Sequence, residues 1–390
     1  MKRKTHTART AHTARIALAQ AIGLTLGLVA ASSFAQTIKV AQVVELSGGG
    51  TAAGSQYRNG AKLAISEINA AGGIMGRKVE VMEMDTQSQP AIAKAMTVKA
   101  IDEKVTAIFG PVFSGSILVS QTESQKAGIP NFTGGEASNV TAQGNPYIFR
   151  SSFNQSMGMP KVANYMATDL KAKSVVVLFV NNDFGKGGRD AIIKELTSRG
   201  IKVAADISTD PGQVDMSSTV LRAKQANADA LFAYLNEEES ARLLKELRKQ
   251  GYDKPLVGET TLMGSKVIEL AGSAANGVRG HVGLTADAPM FKEYAVKYEK
   301  EYKAKPDHNG IKGYFSAYML KAAIEKAKST EGPAIAAAMK NACFKVKDNP
   351  GILLDVCFDD KGDIDRESFL VEVKDGKQVV MATLPMLNKR

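Results

Sequence analysis

One continuous stretch decides the predicted fold: IFGPVFSGSILVSQTESQKAGIPNFTGGEASNVT, residues Ile108–Thr141. It begins within a short apolar run, Val105–Phe109, which has the composition of a buried strand. A helix over Ser114–Ala127 follows and ends at Gly128, where a glycine supplies the positive φ that helix ends favour. A second strand, Ile129–Phe132, completes a βαβ unit.

Small and polar residues follow both of these strands. In open α/β sheets, ligands bind outside the carboxyl ends of the strands. Ser114 and the N–H groups after it can hold a carboxylate at a helix N-terminus, and the alternative is that Ser114 only caps the helix. Gly134 and Gly135 leave the backbone open for close approach. Glu136 can meet a ligand ammonium or amide, and the alternative is a solvated loop acid.

The rest of the chain repeats the same alternation of strands and helices. Ile38–Val44 and Ser174–Val180 are apolar runs typical of buried strands, and each precedes a glycine-containing loop and a helix. This alternation predicts an α/β fold with parallel, doubly wound sheets. After Leu284 the pattern changes to three consecutive predicted helices and then hairpin strands. Those helices are Phe291–Tyr302, Gly310–Ala327 and Pro333–Lys340.

The helix after Asn236 has the clearest end signals. Asn236 is a candidate N-cap, and Glu237, Glu238 and Glu239 lie at the positive end of the helix dipole. A metal site is one interpretation of three adjacent acids. We favour a solvated first turn whose charge matches the dipole.

The first 35 residues have the features of a secretory signal. A basic start, the apolar run Ile16–Ala31 and Ser33-Phe34-Ala35 predict cleavage near Ala35 and a periplasmic protein. The alternative, a membrane anchor, needs a run of about 20 residues. Removing this segment lowers the formal net charge from +10 to +5. The charge is spread along the chain, so nucleic-acid binding is not expected.

Two cysteines, Cys343 and Cys357, are the whole cysteine content. In an oxidising compartment they predict a structural disulfide rather than a metal pair. Only His281 and His308 remain after the signal segment, so we expect no metal and no cofactor. The chain has no G-x-S-x-G, H-E-x-x-H or P-loop pattern. We therefore expect no enzyme activity.

The order and spacing of the motifs resemble the periplasmic branched-chain amino-acid-binding proteins, which are substrate-binding subunits of ABC importers. The resemblance covers nearly all of the chain after the signal segment. The matching segments are IKVAQVVELSGG (Ile38–Gly49), NGAKLAISEINAAGGIMGRKVEV (Asn59–Val81), FGPVFSGS (Phe109–Ser116), AGIPNFT (Ala127–Thr133), NPYIFR (Asn145–Arg150), NNDFGKG (Asn181–Gly187) and FDDKGD (Phe358–Asp363).

The resemblance implies a type I periplasmic binding protein: two Rossmann-like lobes, each a doubly wound, mostly parallel sheet, joined by a three-segment hinge. It implies a cleft that closes on an amino acid. We expect lobe 1 to comprise residues 36–151 and 285–367, and lobe 2 residues 152–284 and 368–390. The implied partner is a membrane permease, and we expect a monomer.

The family's binding residues transfer to this sequence with several departures. The carboxylate-binding serine falls on Ser114, and the usual hydroxyl residue of the next loop is replaced by Glu136. From this we predict that Glu136 holds a cationic or N–H-donating group of the ligand. The remaining predicted site positions are Gly134, Gly135, the aromatic Phe184, and the departures Ala53, Asn236, Thr260 and its neighbour Glu259.

The sequence therefore predicts a solute-binding protein that captures an amino acid, or a related small carboxylate or amide, by lobe closure. A ligand-sensing regulatory module of the same fold is one alternative. A secreted hydrolase on an α/β scaffold is the other, because fold does not fix function.

Overall fold

The computed structural model of this protein describes residues 37–387. The predicted signal segment lies outside the described residues. Two sheets organise the described chain. We call the five-stranded sheet with its covering helices the first lobe, and the seven-stranded sheet with its helices the second lobe.

The first-lobe sheet is entirely parallel, in the order β2-β1-β3-β4-β5. Alternate residues of β1 enter different cores: Val40 and Val44 pack in the main core with the next helix, while Ala41 and Val43 pack in a second core. Burial on both faces explains why the strand is a continuous apolar run. The elements are β1 (Ile38–Val44), α1 (Thr51–Ala70), β2 (Val79–Asp85), α2 (Pro90–Asp102), β3 (Ala107–Phe109), α3 (Ser114–Ala127), β4 (Asn131–Thr133) and β5 (Ile148–Arg150).

The second-lobe sheet has the order β15-β14-β10-β9-β8-β6-β7, and only β14 and β15 run antiparallel to their neighbours. Its elements begin with α4 (Gln155–Thr168), β6 (Ser174–Val180), α5 (Asp183–Ser198), β7 (Lys202–Thr209), α6 (Ser217–Gln225) and β8 (Ala230–Tyr234). They continue with α7 (Glu237–Lys249), β9 (Leu256–Gly258), α8 (Ser265–Ala271), β10 (Arg279–Val282), β14 (Ser368–Lys374) and β15 (Lys377–Leu384).

Three further helices follow β10, as the pattern after Leu284 predicts, and they pack against the first lobe. They are α9 (Lys292–Tyr302), α10 (His308–Ala327) and α11 (Gly332–Met339). α10 packs closely against α1 through glycines: a Cβ on Gly60 would lie 1.8 Å from the carbonyl oxygen of Gly310. This contact fixes the start of α10 beside the first-lobe sheet.

A small antiparallel sheet follows, formed by β11 (Cys343–Phe344), β12 (Val356–Phe358) and β13 (Ile364–Asp365). Cys343 and Cys357 are opposite each other in this sheet and form a disulfide, which confirms the predicted pairing. The sheet lies against the first lobe, where the amide of Arg150 donates to the carbonyl of Gly362 at 2.9 Å.

Within residues 37–387 the chain passes between the lobes three times, after β5, after β10 and after β13. The first crossing is fixed by buried polar contacts. Arg150 pairs with Asp363 at 2.7 Å, and Arg366 donates to the carbonyl of Ser151 at 3.3 Å. The predicted α/β architecture with a three-segment hinge is confirmed. No helix in the described part of the chain is both long and apolar enough to cross a bilayer.

Candidate functional site

A cavity of about 530 Å³ lies between the lobes, at the carboxyl ends of their parallel strands. The first lobe contributes the loops after β3 and β4 and the starts of α3 and α10. The second lobe contributes the starts of α5 and α7. The two sides are close: a Cβ on Gly115 would lie 3.2 Å from Asp183 Oδ2. This is the edge of the sheets at which the sequence placed a binding site.

Six of the nine predicted binding residues line this cavity, and three do not. Gly135 instead packs behind α3, where a Cβ would lie 2.3 Å from Ile117 Cδ1. The Thr260 hydroxyl donates a hydrogen bond to Glu259 Oε1 at 2.8 Å, and both side chains are buried beside the cavity. Thr261, one residue later, takes a lining position. The six lining residues are Ala53, Ser114, Gly134, Glu136, Phe184 and Asn236.

Ser114 is not a helix cap, so that interpretation is wrong. It is the first residue of α3, and its Oγ accepts from the amide of Ala137 at 3.2 Å. This bond joins the start of α3 to the loop after β4. Ser116, one residue beyond Gly115, also lines the cavity, and its buried Oγ has no hydrogen-bond partner in the part of the chain that the structure describes. The first turn of α3 therefore lies at the cavity, and it contains N–H groups that lack an intrahelical acceptor and one buried hydroxyl without a partner among the described residues.

Glu45 supports this turn from behind. Its carboxylate accepts from the amides of Val112 and Phe113, each at 3.1 Å. Burial raises the pKa of Glu45 to about 7, while these two hydrogen bonds oppose the shift. The N–H groups just before α3 are thus taken by the protein, and those inside its first turn are left for the cavity.

Glu136 is buried and already paired. Its Oε1 accepts from Lys312 Nζ at 2.8 Å, and its Oε2 accepts from the Tyr234 hydroxyl at 3.2 Å. Burial raises the pKa of Glu136, and the Lys312 ammonium opposes that shift. Lys312 also approaches the carbonyl of Gly134 at 3.3 Å and Asn309 Oδ1 at 3.4 Å. The cation beside Glu136 is therefore a side chain of the protein.

Tyr234 links this pair to the second lobe. Gln155 Nε2 donates to the Tyr234 hydroxyl at 3.1 Å and to the carbonyl of Phe184 at 2.8 Å. The Phe184 and Tyr234 rings stack with centroids 4.2 Å apart. The carboxylate of Glu136 thus bridges the two lobes through one phenol.

Glu237, in the first turn of α7, is the contrasting acid. It lines the cavity, is only 7% exposed, and has no side-chain partner within residues 37–387. Burial raises its pKa to about 7, and the nearby charges of Asp307 and Glu239 add to the shift, while its own N–H and Lys312 oppose it.

The prediction of a solvated first turn is therefore wrong for two of the three acids of α7. Glu239 is buried as well, and its Oε1 accepts from the amide of Gly212 at 2.6 Å and from the Asn236 amide group at 3.3 Å. Glu238 alone matches the prediction, exposed and paired with Arg242 at 2.7 Å. The Asn236 side chain makes no capping bond to the helix backbone. Among residues 37–387, no group of three or more His, Cys, Asp or Glu side chains is arranged to hold a metal ion.

A second buried polar pair lies behind the cavity. Glu259 Oε1 is 2.8 Å from His281 Nδ1, and Phe153 meets the imidazole edge to face at 5.6 Å. Burial lowers the pKa of His281 to about 3 and raises that of Glu259. The Glu259 charge also acts on Glu136, where it adds to the rise in pKa.

Sequence reasoning missed Lys312, Ser116 and Glu237. Lys312 is 176 positions from Glu136, and no pattern around it signals an ion pair. Ser116 lies two residues after Ser114 at the same predicted helix start. That position could have indicated that it also lines the site. The sequence predicts a solvated position for Glu237, because its burial depends on the first lobe facing it.

A family sequence model described as "Periplasmic binding protein" matches residues 37–378. The leucine-, isoleucine-, valine-, threonine- and alanine-binding protein of Pseudomonas aeruginosa is 27% identical, over 88% of this chain and 92% of that protein. The branched-chain amino acid transporter substrate-binding protein LivJ of Streptococcus pneumoniae, solved with isoleucine, is 26% identical with a TM-score of 0.81, over 90% of this chain and 99% of that one.

A solute-binding protein of an ABC transporter from R. palustris, solved with benzoate, shares the fold. Its TM-score is 0.82 at 22% identity, over 90% of this chain and 98% of that one. The solved structures confirm the predicted fold. The family model and the Pseudomonas aeruginosa and Streptococcus pneumoniae relatives confirm a class of binding proteins rather than enzymes.

Proposed function

This chain belongs to the periplasmic binding protein family, and from that premise we propose that it captures a small carboxylate-bearing solute between its lobes for an ABC importer. The lobes would close on the solute by motion at the three crossings. A membrane permease would then receive it. The names of the Pseudomonas aeruginosa and Streptococcus pneumoniae relatives, for amino-acid binding and transport, support this assignment.

The observation that carries the proposal is the first turn of α3. Ser114, Gly115 and Ser116 of this turn line the cavity, and the Ser116 hydroxyl is buried without a partner among residues 37–387. A buried hydroxyl without a hydrogen bond is unfavourable by about 1–3 kcal/mol. A carboxylate at this helix N-terminus would accept from Ser116 and from the backbone, where the helix dipole favours negative charge.

The cavity size agrees with a small solute. Pockets for small molecules range from about 300 to 1,000 Å³, and this one is about 530 Å³. Apolar contact would come from Phe184, Val112 and Phe113, which line it.

The experiment is a thermal-shift screen of the chain from residue 36 onward. The panel contains amino acids, amides, urea, and aliphatic and aromatic carboxylates. A bound solute at 100 times its dissociation constant should add roughly 2.7 kcal/mol of stability. The proposal fails if no carboxylate in the panel stabilises the protein.

Ser116→Ala tests the carboxylate site directly. Losing one hydrogen bond to a charged group should weaken the best carboxylate about 10- to 100-fold by calorimetry. Ser120→Ala is the matched control, because Ser120 is buried in the same helix and its Oγ bonds only to the carbonyl of Ile117, at 3.4 Å. Equal effects of the two variants would contradict the assignment.

A further inference from the structure

A carboxylate of the protein already lies at the start of α3. Glu45 follows directly after β1 and is fully buried. Its Oε2 accepts from the amide of Val112 and its Oε1 from the amide of Phe113, each at 3.1 Å. Phe113 is the N-cap residue of α3, and its side chain makes no capping bond. Glu45 therefore occupies a position that anions take at helix N-termini.

Glu45 lies behind the cavity. Val112 and Phe113 line the cavity, whereas Glu45 is not among its described lining residues. The packing around Glu45 is close: a Cβ on Gly54 would lie 2.0 Å from its carbonyl oxygen, and a Cβ on Gly50 would lie 2.9 Å from its Cβ. Glu45 therefore acts on the cavity through the backbone that it holds and through its charge.

The charged and titratable groups that face Glu45 are Asp85, at the end of β2, and Tyr57 of α1. Burial opposes the shift, but hydrogen bonds, led by that of the Ser47 hydroxyl, lower the pKa of Asp85. Burial raises the pKa of Tyr57 to about 12. Neither group changes its charge near neutral pH. Glu45 does, because burial raises its pKa to about 7.

A solute carboxylate would bring a second negative charge to the same helix end. The first turn of α3 begins one residue after the Phe113 amide that Glu45 holds. Two like charges about one helical turn apart in a protein raise a carboxyl pKa by roughly one unit or more. Protonation of Glu45 removes this repulsion. A proton from solvent forms an O–H bond on the carboxylate, and the remaining lone pairs can still accept from the two amides.

We propose that Glu45 positions the first turn of α3 and takes up a proton from solvent when an anionic solute binds there. This inference rests on the proposed function and adds a proton linkage to it. Where Glu45 is already neutral, the solute meets no opposing charge. As pH rises through the range in which Glu45 ionises, the affinity for the solute carboxylate falls.

The test measures carboxylate binding against pH. The probes are leucine, 4-aminobutanoate and benzoate, and calorimetry in two buffers of different ionisation enthalpy gives the number of protons taken up. For a one-unit shift we expect an uptake of about half a proton near pH 7.5 and little at pH 5.5. The affinity of a bound probe should fall about 5- to 10-fold from pH 6 to pH 8.5.

Glu45→Gln tests the residue itself, because glutamine has nearly the same shape and does not titrate. The proton uptake and the fall in affinity with pH should both disappear. Asp229→Asn is the matched control. Asp229 Oδ2 likewise accepts from two consecutive amides, those of Lys173 and Ser174 at 2.8 and 2.9 Å, but it is in the second lobe and does not line the cavity. This variant should keep the parent's uptake and pH profile.

A second measurement needs no variant. In a carbon-13 NMR titration of the parent protein, the assigned side-chain carboxyl of Glu45 should titrate near pH 7 without a probe. Its midpoint should move upward by about one unit when a binding probe is added. A midpoint that does not move overturns the inference, even if Glu45→Gln fails to fold or to bind.

The outcomes separate this inference from the proposed function. If none of the three probes and no carboxylate of the wider panel binds, both fail. Binding without proton uptake overturns the inference and leaves a carboxylate-binding protein. Uptake that persists in Glu45→Gln also overturns it, and would belong to Glu237 or Asp307, whose pKa values burial raises to about 7 and about 6. Uptake lost in Glu45→Gln and kept in Asp229→Asn supports the inference.

Discussion

The two walls of the cleft treat buried charge differently. On the first-lobe wall, Glu136 is neutralised by Lys312, and Glu45 accepts two backbone N–H groups. On the second-lobe wall, Glu237 is just as buried, and no cation of residues 37–387 forms a salt bridge with it, although the Lys312 charge acts on it from a distance. The first wall satisfies its carboxylates within the protein, whereas the second leaves one open toward the cavity.

This difference separates a buried charge pair from a buried acid that no side chain of the described residues neutralises. A paired buried charge contributes little net stability, but its removal leaves the partner unpaired at a large cost. An unpaired buried acid destabilises the ligand-free protein. A ligand cation that pairs with the acid restores that free energy. The predictions below distinguish these two situations.

The largest effect is expected from breaking the first-lobe pair. Lys312→Met leaves Glu136 buried without a cation, so we expect a loss of about 3–5 kcal/mol in the free energy of unfolding. Urea denaturation measures it. The double variant Glu136→Gln/Lys312→Met removes both charges and should recover much of that loss. A double variant no more stable than Lys312→Met would show that the pair is not the cause.

The disulfide provides a comparison far from both walls. Cys343 and Cys357 are 14 positions apart, and replacing both by serine should lower the free energy of unfolding by about 3 kcal/mol. Solute affinity should not change, because neither residue lines the cavity. Calorimetry on the double-serine variant checks this. A change in the free energy of solute binding larger than the change in the free energy of unfolding would mean that the small sheet controls the cleft.

An effect of opposite sign, and about as large as that of the disulfide, is expected for Glu237→Gln in the ligand-free protein. The folded-state pKa of Glu237 is raised to about 7 from a usual 4.5, so its ionisation destabilises the fold as pH rises between these values. The variant should therefore equal the parent near pH 4 and exceed it by roughly 3 kcal/mol at pH 8.

Thermal unfolding across this pH range measures that difference. Asp307, Lys312 and Glu239 face the same group and are unchanged in the variant, as is Glu45, whose pKa is also about 7. Subtracting the two curves isolates Glu237. A variant that is less stable than the parent at pH 8 would mean that Glu237 already has a stabilising partner.

Much of the architecture was predictable because it depends on neighbours close in sequence. The apolar run Ser174–Val180 forms β6, and Gly128 ends α3 with a φ of 67°. Boundaries were less accurate. Helix α10 begins at His308, two residues before the predicted Gly310, because the Asp307 side chain caps it by accepting from the amides of Asn309 and Gly310.

The sequence by itself determined the α/β order of elements, the disulfide pair and the edge of the sheets at which the cavity lies. Periodicity, helix ends and cysteine count are local properties, and the carboxyl ends of parallel strands follow from them. Only the tertiary structure decided which acids are available to a solute. Lys312 reaches Glu136 across 176 positions, and Glu237 is buried by the facing lobe, because charge pairing and desolvation depend on neighbours in space.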